Sequence, residues 1–208
     1  MRELLRQRYG GLLSAWRAGL SAETGRAAAA FSLLVLGFFA ACLLLPDLRE
    51  TLVALILGTL SGLPAAGEDG TLSALALFLN NLQACAFILL YGLVPFLRLP
   101  AMTLGLNAMM LGGLAAWYAA QGVSPLVYLA LILPHGVFEL PALVIALGTG
   151  LYICRQTTGL CRGREGALPL PLCLLLMSRV LLLVLVPLLT AAALIEAYVT
   201  PMVASLFF

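Results

Sequence analysis

The chain has 208 residues, of which 63% are hydrophobic and only 10% are charged, and its mean hydropathy is +1.11. A soluble globular domain is about 25% charged and less than half apolar, so this composition excludes one and predicts a polytopic membrane protein. The net charge is +2 and no basic stripe for nucleic acid is visible. The odd count of five scattered cysteines argues against a disulfide framework.

The N-terminal part of the sequence predicts a helix that lies on the membrane. Within residues 1–25, apolar side chains fall on one helical face and arginines on much of the other, as in amphipathic helices on anionic cytoplasmic membrane surfaces. A helix packed on its own protein is the alternative. The first span is predicted over residues 26–45, and residues 51–63 are too short to cross a bilayer. They predict an interfacial or re-entrant helix.

Four further apolar stretches complete an all-α fold of about five transmembrane helices. They cover residues 71–97, 101–121, 125–153 and 168–198, and with the first span they form a single membrane domain over residues 26–208. In the third span, Gly112, Ala116 and Ala120 recur at four-residue spacing, which lets helices approach closely.

The distribution of arginine predicts the orientation. Five of the eleven basic residues lie within residues 1–26, before the first apolar run, and others follow at Arg98 and in the loop at residues 155–164. With five spans, all of these fall on one side, so the positive-inside rule predicts a cytoplasmic N-terminus and an outside C-terminus.

A few polar residues lie where the sequence is otherwise apolar. His135 and Glu139 are four residues apart, so they share one helical face about 15 Å or more into the fourth span. The second span carries Asn80 and Asn81 at similar depth, and the fifth carries Arg179 and Glu196. Ionisable groups at membrane depth are costly and indicate a functional site. Asn107, alone in the third span, predicts an interhelical hydrogen bond.

Three uses of these groups fit the sequence. In the first, His135, Glu139 and Glu196 bind a divalent metal such as zinc, with Asn80 or Asn81 completing the shell. In the second, Glu139 neutralises Arg179 and the histidine hydrogen-bonds to an asparagine, which makes the polar groups structural. In the third, the same groups form a proton or ion pathway.

The run LPHGVFELPA at residues 133–142, with the asparagine pair at residues 80–81 and IEAYVTP at residues 195–201, resembles the stage II sporulation protein M family. The resemblance covers roughly residues 27–201. It implies a non-enzymatic membrane scaffold in endospore formation, which anchors stage II sporulation proteins D and P. Those partners degrade peptidoglycan while the mother cell engulfs the forespore.

Two functions from different classes therefore follow from the sequence. The first is a scaffold for peptidoglycan remodelling at the septal membrane, with a zinc ion that fixes the fold or a homodimer interface. The second is a small transporter or channel component that uses the His and Glu residues, motivated by a fourth span that Pro134, Gly136 and Pro141 are expected to interrupt. An enzymatic activity is not expected, because a single histidine must serve any triad and no Gly-x-Ser-x-Gly motif is present.

Overall fold

The computed structural model describes residues 10–60 and 73–207, and within these ranges the chain is helical and contains no strand. Five of the described helices are long and apolar enough to cross a membrane, whereas 15 residues of the second helix are described, fewer than a span requires. The prediction of an all-α membrane protein with five spans is therefore confirmed. In chain order the helices are α1 (Gly10–Leu44), α2 (Pro46–Leu60), α3 (Ala74–Tyr91), α4 (Leu99–Ala120), α5 (Pro125–Cys161) and α6 (Leu170–Ala204).

A kink divides α1 into a short and a long segment. It lies at Gly19, whose φ of +123° belongs to a region that residues with side chains rarely adopt. The short segment, residues 10–18, exposes the apolar side chains of Leu13 and Trp16. Residues 1–9 of the predicted surface helix lie outside the described residues.

The end of α3 differs from the predicted boundary at residue 97. The helix stops at Tyr91, because Gly92 follows and Pro95 cannot donate a helical hydrogen bond. The chain then turns sharply, with the left-handed φ angles of Phe96 (+69°) and Arg98 (+46°), before α4 begins. The seven residues 92–98 thus form a connection between α3 and α4. Because residues 93–97 are apolar, the sequence pattern had assigned them to the span.

The end of α5 also differs, in the opposite direction. The fourth span was predicted to end at residue 153, yet α5 continues to Cys161 as a helix of 37 residues. No proline lies between residues 154 and 161, and Gly163, with φ +64°, comes only after the helix. At 1.5 Å per residue α5 is about 55 Å long, so it extends beyond the ~30 Å hydrocarbon core.

The same helix is continuous through Pro134 and Pro141. The expected interruption of the fourth span is therefore absent. Each proline removes only one backbone donor, and α5 packs against α1, α3, α4 and α6, which holds the helix together across both positions. The discontinuous helix that motivated the transporter hypothesis is not present in this fold.

Small residues allow the helices around α5 to approach one another closely. A Cβ added to Gly112 of α4 would collide with the backbone of Val35 in α1, and one added to Gly148 of α5 would collide with Thr24. Ala116 is buried as well, whereas Ala120 is exposed. Two of the three positions of the predicted small-residue stripe on α4 are thus buried, and Gly112 lies directly against α1.

One end of the bundle is marked by arginines. Glu23, at the start of the long segment of α1, forms an ion pair with Arg155 of α5 over 3.2 Å. The backbone N–H of Phe96, after α3, donates to Thr158 Oγ1 of α5 over 2.9 Å. The start of that α1 segment and the ends of α3 and α5 therefore lie together, at what we call the arginine end. The arginines there are Arg26, Arg98, Arg155, Arg162 and Arg164.

Candidate metal centre

The structure brings together three of the predicted polar residues. His135 and Glu139 lie one turn apart on α5, and Glu196 lies on α6, which packs against α5. One ligand atom from each of these residues lies within 4.8 Å of the others. We call these three residues the His/Glu cluster.

The antiparallel pairing of α5 and α6 produces this arrangement. Glu139 lies next to Glu196, and His135 lies next to Thr200, so residues four apart on one helix meet residues four apart on the other. Side chains at this spacing share a helical face, and these faces of α5 and α6 lie against each other. The two prolines do not disturb this register, because the helix around them is continuous.

Thr200 fixes the orientation of the histidine ring. The distance between His135 Nδ1 and Thr200 Oγ1 is 3.3 Å, and the threonine hydroxyl donates to the carbonyl of Ile195 over 3.4 Å. The tautomer that matches both contacts has its proton on Nδ1, because a hydroxyl whose one proton goes to Ile195 can only accept from the ring. In the neutral ring, Nε2 then carries the free lone pair, the form in which imidazole binds a metal.

The two carboxylates of the cluster have no cationic partner in the part of the chain that the structure describes. The ion pairs found there involve Glu23 and Glu50, not Glu139 or Glu196. All three residues of the cluster are half-buried. Two neighbouring carboxylates at membrane depth repel each other, so the arrangement favours either an added cation or the uptake of a proton.

The cluster fits a divalent metal by chemistry and by size. An imidazole nitrogen and carboxylate oxygens are ordinary zinc ligands, at about 2.0–2.2 Å from the ion. A tetrahedral shell of that radius places its ligand atoms roughly 3.4 Å apart. Small side-chain rotations bring atoms within 4.8 Å of one another to that spacing.

Arg179 lies elsewhere. Its guanidinium rests against Gly11 in the short segment of α1, where an added Cβ would overlap it. No ion pair joins it to Glu139 among the described residues. The second interpretation, in which that ion pair neutralises the carboxylate, is therefore wrong in this respect, because α6 places the arginine and the glutamate on opposite halves of the helix pair.

The asparagines do not complete the cluster through any hydrogen bond within the described residues. Asn80 is exposed and Asn81 is half-buried on α3. Asn107 donates from Nδ2 to the carbonyl of Thr103 in its own helix, over 2.9 Å, so the expected interhelical bond is replaced by a local one. Thr200, and not an asparagine, is the partner of His135.

Two neighbours of the cluster were not assigned a role from the sequence. Thr200 follows Glu196 by four residues, which is the spacing that could have identified it. Cys85 of α3 is buried and lies close enough to Glu139 for an electrostatic interaction. No sequence pattern connects Cys85 with Glu139, because their proximity depends on how α3 packs against α5.

The chain matches a known protein family. The family model described as Stage II sporulation protein M matches residues 28–201, which include the His/Glu cluster and most of the chain. No curated protein and no solved structure matches the chain.

Proposed function

Because the chain belongs to the stage II sporulation protein M family, we propose that this sporulation-related membrane protein is a non-enzymatic scaffold. In this proposal it anchors peptidoglycan-degrading enzymes at the septal membrane while the forespore is engulfed. The observation that carries the proposal is the family match, which extends over residues 28–201 and thus over nearly all of the membrane-spanning helices.

The proposed partners are stage II sporulation proteins D and P, as the family resemblance implies. Co-expression of a tagged form of this chain with both partners, followed by purification from detergent-solubilised membranes, tests the interaction. We expect both enzymes to be retained, and an unrelated multi-pass protein with the same tag to retain neither. Equal recovery with the two baits would contradict the scaffold function.

The proposed orientation places the arginine end in the cytoplasm and the C-terminus outside, because basic residues stay on the cytoplasmic side of a membrane. Cys161 offers a direct test, since it is exposed at the arginine end whereas Cys42, Cys85, Cys154 and Cys173 are buried. A membrane-impermeable maleimide should label Cys161 only after cells are opened. A cysteine introduced at the exposed Ser205, in a Cys161→Ser background, should be labelled in intact spheroplasts. The reverse pattern would invert the orientation.

We further propose that the His/Glu cluster holds a divalent metal, most simply zinc, that links α5 to α6. His135 Nε2 and one carboxylate oxygen each from Glu139 and Glu196 would be the ligands. Bound there, the cation would offset the two negative charges and add a cross-link between the two helices. The fourth ligand would be water or a group from a second copy of the chain, which would place the cluster at a homodimer interface.

Elemental analysis of protein purified without added metal tests this part of the proposal. We expect a divalent metal at a clear stoichiometry to the chain, and its loss in the His135→Ala variant. Glu165→Gln is the matched control, because this glutamate is exposed in the loop after α5 and lies outside the cluster. A metal content near zero in the wild type, or an unchanged content in His135→Ala, would refute metal binding. The scaffold function can still be tested separately by co-purification.

A further inference from the structure

A second polar feature lies at the arginine end, where a cavity of about 300 Å³ opens beside the end of α5. It is lined by four arginines, together with Phe96, Cys154, Thr158 and Gly159. These arginines come from three separate parts of the chain: the connection before α4, the last turns of α5 and the loop that follows. They are Arg98, Arg155, Arg162 and Arg164.

The cavity is held in shape by contacts between these segments. Besides the Phe96–Thr158 hydrogen bond, Cys154 Sγ donates to the carbonyl of Val94 over 3.4 Å, and Thr157 Oγ1 lies 3.4 Å from the carbonyl oxygen of Gly92. The connection at residues 92–98 is therefore fastened to one face of α5. Its left-handed residues, which cost about 1 kcal/mol or more each, show that the packing imposes this shape on the chain.

Two of the arginines are individually positioned. The guanidinium of Arg164 lies against Gly159, where an added Cβ would approach it to 3.0 Å, and it donates to Gln156 Oε1 over 3.3 Å. The guanidinium of Arg162 lies over the ring of Phe96, 5.3 Å from the ring centroid. An arginine whose charge only directs membrane topology needs no such contacts, because topology depends on charge alone.

The positive charge around the cavity is not balanced by the described part of the chain. Glu23 pairs with Arg155 over 3.2 Å, but it also pairs with Arg26 over 3.1 Å. Arg98, Arg162 and Arg164 form no ion pair with any described acidic residue. Several guanidinium groups that converge without counter-charges attract an anion, and their planar donor groups match the oxygens of a phosphate.

The surroundings of the cavity indicate where this phosphate comes from. Leu97 and Leu160 beside it are exposed, at 64% and 39%, although they are large apolar side chains. Exposed leucines next to arginines are typical of the level where a membrane protein passes from acyl chains to headgroups. We propose that this cavity is a binding site for the phosphate of an anionic phospholipid headgroup.

Thermal unfolding of the full chain in neutral detergent tests the site. Phosphatidylglycerol should raise the Tm of the wild type, whereas phosphatidylcholine should raise it less. In the Arg98→Gln/Arg162→Gln variant, the concentration of phosphatidylglycerol needed for half of the shift should increase by roughly tenfold or more, since hydrogen bonds to charged groups are lost. Arg17→Gln is the control, because this exposed arginine lies on α1 outside the cavity.

The same titrations contain the results that would overturn the proposal. An equal response to the two lipids would exclude recognition of an anionic headgroup, and an equal response of the cavity and control variants would exclude this cavity as the site. If millimolar inorganic phosphate reproduces the full shift, the ligand is a soluble anion and not a lipid. Should the double variant fail to fold, Arg98→Lys/Arg162→Lys replaces it. This variant keeps both charges, and wild-type affinity in it would refute recognition by the planar guanidinium groups.

Discussion

Replacing one carboxylate of the His/Glu cluster by an amide should stabilise the metal-free protein and destabilise the protein with zinc bound. Consider Glu196→Gln, which keeps the shape of the side chain and removes its charge. The two carboxylates have oxygens within 4.8 Å of each other, so their repulsion when both are ionised is about 3.5 kcal/mol at an effective dielectric constant near 20. This value is an upper bound, because a carboxylate that takes up a proton escapes the repulsion.

In protein stripped of metal by a chelator, the substitution removes that repulsion, so Glu196→Gln should unfold at a higher temperature than the wild type. With zinc added, it removes a ligand, so the variant should unfold at a lower temperature than the wild type. For a chain of this size, 1 kcal/mol corresponds to roughly 2–4 °C in Tm, so shifts of several degrees are expected. Glu139→Gln should behave in the same way.

The assay is thermal unfolding in detergent, followed by intrinsic fluorescence, in parallel samples with EDTA and with zinc. Glu165→Gln should remain within about 0.5 kcal/mol of the wild type in both, because it is an exposed loop substitution. A shift of the same sign for Glu196→Gln in the two conditions would show that the charge pair is not a metal site. A wild type that is indifferent to EDTA would lead to the same conclusion.

Three further substitutions test the packing and the polar contacts. Gly148→Ala should destabilise the protein by about 1–3 kcal/mol in thermal unfolding, since its Cβ would collide with Thr24, whereas Gly37→Ala, which meets nothing within 4 Å, should be neutral or slightly stabilising. Thr200→Val should weaken zinc affinity by roughly 10–100-fold in a competition titration with a chelating dye, because it removes the partner of the metal-binding ring. Gln156→Leu should increase hydrogen exchange in the loop after α5, because Gln156 Oε1 accepts two hydrogen bonds from that loop.

The sequence was sufficient to predict the architecture, because a membrane-spanning helix must be a long apolar stretch and such a stretch can be recognised in the sequence. Apolar runs of about twenty residues cannot lie in water, so five of them predict five spans with little dependence on tertiary structure. The exclusion of residues 51–63 from the spans followed from length alone. The helix boundaries were harder to predict. Residues 93–97 continue the apolar pattern of α3, although Gly92 and Pro95 end its helix.

The sequence was sufficient to predict which residues of α5 belong to the cluster, but not which residues of α6 contact them. The four-residue spacing of His135 and Glu139 placed them on one face, and that part follows from helix geometry. Which residues of α6 face them depends on the register between two antiparallel helices, and a shift of one turn would have replaced Glu196 by another residue. The same register decides that Thr200, and not an asparagine, contacts the histidine. The arginine cavity depends on tertiary contacts to a still greater degree, because its side chains come from three segments.

Helix α5 contributes to both sites, and the distance along it determines how they influence each other. Glu139 and Arg155 are sixteen residues apart, which corresponds to about 24 Å along a continuous helix. Substitutions at that separation, with no shared partner, generally have additive effects on stability. The cluster joins α5 to α6, whereas the cavity joins α5 to the connection between α3 and α4. Loss of metal binding should therefore leave lipid binding intact, so that a variant defective in both properties must have lost the packing of α5 itself.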